Sequence, residues 1–262
     1  MNATSTGLYY TYIPGGSWKL TALFESADQA PKANTDGGTD TAIYEVGSSL
    51  TLTSPGRGLV GYWTFEETGT TYFDRSGNSE NGTSTTDLHI ATSKAGNYAA
   101  TFNGTSDYIE LDNFIPFSTN NASTISAWVK TPSLDATYRN IYSEGDVAAQ
   151  EFHFRLSPTA NKFTLFTRAV SEEINFSDSL LNDGQWHHIA GTVNKTTGYH
   201  ALFLDGVLKS SAAVVPTIGA TYSTIGSKNK TSEFWKGQID DLRIYNRALS
   251  VAEVQTLYNA TK

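Results

Sequence analysis

From Leu59 onward, short apolar runs alternate with Gly, Asn and Asp at intervals of roughly ten residues, the spacing of an antiparallel sandwich or jelly roll. The runs predict strands at 59–65, 99–102, 108–111, 124–130, 151–156, 162–168, 185–193, 199–204, 222–225 and 237–245. Period-two patterning is plainest in Glu151-Phe152-His153-Phe154-Arg155-Leu156, which puts Phe152, Phe154 and Leu156 on one face and Glu151, His153 and Arg155 on the other. No βαβ spacing occurs. Ser250-Val251-Ala252-Glu253 has the capping-box form and predicts one short helix through Tyr258. Ahead of this region, 8–13, 18–25 and 42–46 read as three short strands. Pro55, Gly56 and Gly58 punctuate a polar stretch after them. The expected division is a small β appendage and linker over 1–57 and a large domain over 58–262.

A chain of 262 residues with 39% hydrophobic content can bury a full core, and its 17% charged fraction suits strands and turns better than helices. The absence of cysteine excludes disulfides, thiol nucleophiles and thiolate metal sites. A net charge of −8 argues against nucleic acid as partner, while acidic loops suit divalent cations. The longest apolar stretches fall far short of the roughly 20 residues that span a bilayer. Met1-Asn2-Ala3-Thr4-Ser5-Thr6 has neither a basic nor an apolar signal region, so a targeting segment is expected to be absent from this sequence.

The chemistry is read largely from what is missing. Two-carboxylate glycosidases on this kind of scaffold commonly carry Glu-X-Asp-X-X-Glu on one strand face, and no such triplet occurs; nor does a Gly-X-Ser-X-Gly elbow. His187 and His188 are adjacent in a strand and point to opposite faces, and His89, His153 and His200 have no ligand spacing. Trp63, Trp128 and Trp186 are expected in the core and Trp235 outside it. With His153, Arg155 and Arg168 on non-core faces, Trp235 would line a concave saccharide-binding surface; the plainer alternative is a solvated face.

Several phrases occur in the order typical of a known family: Leu59-Val60-Gly61-Tyr62-Trp63-Thr64-Phe65-Glu66, Phe73-Asp74-Arg75-Ser76-Gly77-Asn78, Phe102-Asn103-Gly104, Ile125-Ser126-Ala127-Trp128-Val129-Lys130, Gly184-Gln185-Trp186-His187-His188-Ile189, and Gly237-Gln238-Ile239-Asp240-Asp241-Leu242-Arg243-Ile244-Tyr245. The stretch resembles the laminin G-like, concanavalin A-like jelly roll. The resemblance implies an all-β, two-sheet antiparallel sandwich with a short C-terminal helix. It also implies a shared Ca²⁺ held by Asp74, Asn78 and Asp240, whose oxygens suit a hard cation; the plainer alternative is that Asp74 and Asn78 only cap a turn by Asx hydrogen bonds. The leader resembles the carboxy-terminal β-region of bacterial type IV pilin-like and pseudopilin proteins, through Tyr9-Tyr10-Thr11-Tyr12, Trp18-Lys19-Leu20-Thr21-Ala22-Leu23-Phe24 and Tyr44-Glu45-Val46-Gly47.

The expected function is a non-catalytic, calcium-binding adhesion or carbohydrate-binding module, extracellular or surface-displayed, carried on a pilin-like leader and taking a polysaccharide or cell-surface glycan as partner. The alternatives are a polysaccharide-active hydrolase or lyase and a purely structural surface module.

Overall fold

The computed structural model describes residues 57–262 apart from 91, 113, 133–136, 146–150, 159–161, 168–171 and 214–217, together with the backbone of three strands ahead of them. The chain divides into two units, Met1–Arg57 and Gly58–Lys262. In the first, β1 (Leu8–Ile13), β2 (Ser17–Ala22) and β3 (Tyr44–Gly47) form an antiparallel sheet with Tyr12 opposite Trp18. The side chains that carry the pilin-like resemblance lie outside the described residues, as does Arg168.

The second unit contains β4 (Leu59–Trp63), β5 (Thr71–Tyr72), β6 (Gly82–Thr83), β7 (His89–Ile90), β8 (Ala99–Asn103), β9 (Ile109–Leu111), α1 (Pro116–Thr119), β10 (Ala122–Lys130), β11 (Arg139–Gly145) and β12 (Phe152–Ser157). It continues through β13 (Lys162–Thr167), β14 (Glu172–Ser177), β15 (His187–Asn194), β16 (Tyr199–Leu204), β17 (Val207–Ala213), β18 (Tyr222–Ile225), β19 (Lys236–Tyr245) and α2 (Val251–Thr261). Two eight-stranded antiparallel sheets result. The first runs β17-β16-β15-β10-β19-β8-β7, with β4 also paired to β19, and the second runs β14-β13-β12-β11-β18-β9-β6-β5.

Alternation puts one face of each sheet into a common core. Ile125, Ala127 and Val129 of β10 and Leu202 and Leu204 of β16 meet Phe152, Phe154 and Leu156 of β12 and Phe163 and Leu165 of β13. Each such side chain contributes about 1.5–3 kcal/mol by leaving water. The opposite face of the first sheet carries a second cluster, in which Ala190, Ala201, Phe203 and Tyr245 pack against Leu249, Val254 and Leu257 around α2. Ser250 and Glu253 close the capping box reciprocally at 3.3 and 2.7 Å, satisfying two donors that a helix start otherwise leaves bare.

β19 departs from simple alternation. Ser126 faces Arg243 and Trp128 faces Asp240, so three residues of β19 span two of β10, and Asp241 takes φ 50° at the extra position. This bulge sends Asp240 to the outer face while Ile239 and Leu242 both stay inward.

Two expectations are corrected. Trp235 is not exposed but 0% accessible and part of the core, because the period that buries Ile239 and passes through Gly237 reaches Trp235 on the same side. Trp186 is only half-buried, since it precedes β15 rather than lying within it.

The chain enters this unit next to where it leaves the sheets: Asn246 N donates to Gly58 O at 2.8 Å. With opening and closing strands paired to each other, residues 58–262 are expected to remain soluble and unfold cooperatively in urea without residues 1–57. An insoluble fragment would mean that the leader supplies part of the sandwich.

Candidate functional site

The three residues expected to share a cation do not form one hydrogen-bonded group. Asp74 Oδ1 accepts from Tyr62 N and Ser76 N, both at 2.8 Å, and Oδ2 accepts from Ser76 Oγ at 2.7 Å and Glu80 N at 3.1 Å. Four donors saturate that carboxylate as a turn staple. Asn78 Nδ2 donates to Val60 O at 3.2 Å and Ser76 Oγ at 2.9 Å. Asp240 belongs to a different neighbourhood. Its Oδ2 accepts from Lys94 N and Ala95 N, each at 2.9 Å, while Oδ1 is buried with no partner. Burial pushes this carboxyl up to about 6, against the lowering effect of the two N–H donors.

The same loop is gripped at its other end by Glu66, whose Oε1 accepts from Asn97 N at 2.9 Å and Tyr98 N at 3.2 Å. Glu66, just after β4, and Asp240, within β19, therefore hold residues 94–98, an arrangement the sequence reading missed because each acceptor lies 31 residues or more from its donors. Among the described residues, no three His, Asp or Glu side chains converge as a metal-binding group. The neighbouring Asp241 pairs with Arg243 at 3.0 Å.

The outer face of the second sheet carries the other candidate set. His153 and Arg155 do face away from the core, but they are buried rather than solvated. The segment 226–235 closes over them, bringing Lys228, Asn229 and Glu233. His153 Nδ1 lies 3.1 Å from Asn140 Oδ1 and Nε2 lies 3.1 Å from Glu151 Oε2. Burial holds the imidazole below its ordinary value, with Glu151 pulling the other way. Arg155 Nη1 donates to Glu233 Oε2 at 2.9 Å, Asn140 Nδ2 donates to the same oxygen at 2.7 Å, and Asn229 Nδ2 reaches Glu151 Oε1 at 3.1 Å. Lys228 Nζ lies 3.2 Å from Glu151 and 4.0 Å from Glu233.

The covering segment is strained. Asn229, Lys230 and Glu233 all have positive φ, at 53, 62 and 51°, each costing of order 1 kcal/mol for a residue with a Cβ. Asn229 Oδ1 and Arg155 Nε are buried without a partner. Tyr138 stacks on the Arg155 guanidinium at 4.0 Å and remains 36% exposed, so one aromatic ring of this network is open to solvent. The sequence-predicted set is thus split: His153 and Arg155 share this network, whereas Trp235 lies in the core.

Comparison with known proteins agrees with this architecture. A laminin G-like model of the concanavalin A-like lectin/glucanases superfamily matches residues 103–255. Domain 4 of a GH43 extracellular arabinanase from Geobacillus stearothermophilus, solved with arabinotriose, superposes with TM-score 0.58 at 24% identity over 76% of this chain and 98% of that one. The binding domain of botulinum neurotoxin DC, solved with rat synaptotagmin II, superposes with TM-score 0.58 at 14% identity, and the botulinum neurotoxin type G receptor binding domain does so at 18%. The match covers 80% of this chain but 53% of the DC domain, and 77% against 51% for type G. No curated protein matches the chain. With two antiparallel sheets, a closing helix and a family match over more than half its length, the chain belongs to the concanavalin A-like lectin/glucanases superfamily.

Proposed function

We propose that this protein is a calcium-stabilised, non-catalytic carbohydrate-binding module displayed outside the cell. The carrying observation is the outer face of the second sheet, where the half-open Tyr138 ring adjoins a network of carboxylates, amides and cations. Saccharide sites combine an aromatic platform for the apolar sugar face with fixed polar groups for hydroxyls. The arabinotriose bound to the domain of the Geobacillus arabinanase supports this class of ligand. An extracellular setting is supported by that same enzyme.

The case for calcium rests on Asp240. A buried carboxylate oxygen without a donor, beside a loop clamped by a second carboxylate, is the donor chemistry a hard cation uses. Asp74 and Asn78 act separately, by stapling the turn that follows β4.

A hydrolase reading draws on one feature: Glu151 and Glu233 both reach Lys228, so their nearest oxygens are no more than about 7 Å apart, within the range of two-carboxylate glycosidases. Both are tied to cations and largely covered, which favours binding over acid–base chemistry.

A neutral-oligosaccharide array with and without chelator tests the proposal. Binding should fall about tenfold in Tyr138→Ala, about 1.4 kcal/mol. Saturating calcium should raise stability by about 3–4 kcal/mol at 100–1,000 times its Kd, and Asp240→Asn should abolish that gain. Binding to no glycan, or a melting temperature indifferent to chelator, would overturn the corresponding half of the reading.

A further inference from the structure

The first sheet's outer face carries a groove of about 580 Å³ beyond the Asp240 loop, lined by Thr101, Asn103, Lys130, Pro132, Lys236 and Gln238 among others. Register explains how these residues meet. Lys130 faces Gln238, Gln238 faces Thr101 and Lys236 faces Asn103, so β10, β19 and β8 present them as neighbouring rows. Lys130 and Lys236 are diagonal cross-strand neighbours, which puts their Cα atoms roughly 7–8 Å apart. From Cα atoms that close, the two flexible side chains can converge on one anion between them.

The rest of the molecule makes this pair unusual. Lys162, Lys209, Lys228 and Lys230 are each paired with a carboxylate. Lys195 donates to the Phe117 and Ser118 carbonyls, and Lys94 and Lys262 lie over Trp128 and Tyr258. Among the lysines whose side chains are described, Lys130 and Lys236 alone have no such partner, and both line one groove. Described acids near its lining are engaged with other groups: Asp240 accepts from Lys94 and Ala95, Asp241 pairs with Arg243, Glu233 accepts from Arg155 and Asn140, Asp107 accepts from Asn103, and Asp183 lies 3.2 Å from His187. In a chain of net charge −8, a patch of two unopposed cations is a local reversal of sign.

We infer that this groove is a second binding site, distinct from the Tyr138 face, and that it takes an acidic saccharide through a carboxylate or sulfate held between Lys130 and Lys236. The Thr101 hydroxyl supplies a hydrogen-bonding group suited to sugar hydroxyls, and Pro132 supplies an apolar wall. The anionic class rests on the lysines; the saccharide class rests on the carbohydrate-binding reading above.

Calorimetry with oligogalacturonate, a heparin-derived hexasaccharide, neutral arabinotriose and inorganic sulfate tests it on the full chain. One acidic oligosaccharide should bind the wild type, at least tenfold more weakly in K130Q/K236Q, with restoration in K130R/K236R and a shallower salt dependence in the glutamine variant. Tyr138→Ala should leave that affinity unchanged while weakening arabinotriose. Failure of both acidic oligosaccharides to bind while arabinotriose binds would overturn this inference and leave the Tyr138 reading standing. Equal affinity of wild type and K130Q/K236Q would overturn it as well, and sulfate binding as tightly as the oligosaccharides would overturn the saccharide assignment.

Discussion

Gly237→Ala is expected to cost more than about 3 kcal/mol, among the largest effects of any single methyl group in this protein. Gly237 has φ +130°, a region essentially reserved for glycine. An added Cβ would come within 2.2 Å of Lys130 O and 3.0 Å of Thr131 Cα. Both are backbone atoms at, or just past, the end of β10, so no rotamer change relieves the overlap, and β10 and β19 would have to separate there. Gly77→Ala is the control: φ is +95°, but nothing lies within 4 Å of its Cβ, which leaves conformational strain alone, about 1–2 kcal/mol. Urea unfolding of the two variants measures the difference. A Gly237→Ala protein as stable as Gly77→Ala would show that the two strands do not approach as described.

The second large effect is a pH dependence centred on Glu144. Its side chain is 0% exposed, and Oε1 accepts from Phe117 N at 2.7 Å and Tyr142 Oη at 2.9 Å, while Oε2 accepts from Ser118 N at 2.8 Å and Ser118 Oγ at 3.0 Å. The Lys195 ammonium, bonded to the Phe117 and Ser118 carbonyls, is the cation nearest by chain connection. Burial outweighs these donors and pushes the carboxyl from its ordinary 4.5 up to about 7. A folded pKa above the unfolded one means that the folded chain holds an extra proton between those values. Stability from this group is therefore present in full below pH 4.5 and is lost as pH rises through 7, about 3 kcal/mol in all. In Glu144→Gln the titration is gone, so the stability gap between wild type and variant should shift by that amount against the wild type on going from acid to neutral pH. Parallel stability–pH curves for the two proteins would rule it out.

Much of the fold was legible wherever one face of a strand met the core and the other did not. The predicted runs at 199–204 and 222–225 coincide with β16 and β18. Most of the strands missed lacked that contrast; β14, where Ile174 and Phe176 alternate with half-buried neighbours, is the exception. In β11 six successive residues are buried, because 226–235 covers its polar face. β17 is an edge strand with almost no buried position, and β5, β6 and β7 are two residues long. The candidate sites were less legible for the same reason. Alternation correctly sends His153 and Arg155 off the core, yet it cannot say that a loop some 75 residues later folds over them. The error at Trp235 was avoidable, since counting back by two from Ile239 assigns it inward. Asp240 could be named from its phrase, whereas Glu66 and the Lys130–Lys236 pair emerge only when three strands are set in register.

The hydrogen bond between Asn246 and Gly58 sets how this unit responds to mechanical load. Entry and exit of the sandwich are adjacent points on the antiparallel β4–β19 pair, with Leu59 opposite Tyr245. A pull through the two ends first meets α2, tied near its last turn to the sheet by Trp128 Nε1 donating to Thr261 Oγ1 at 3.0 Å. Once the helix has peeled away, the tension opens β4 from β19 one rung at a time instead of shearing all rungs together. The domain is therefore built to yield under tension at its seam while the interior sheets stay paired.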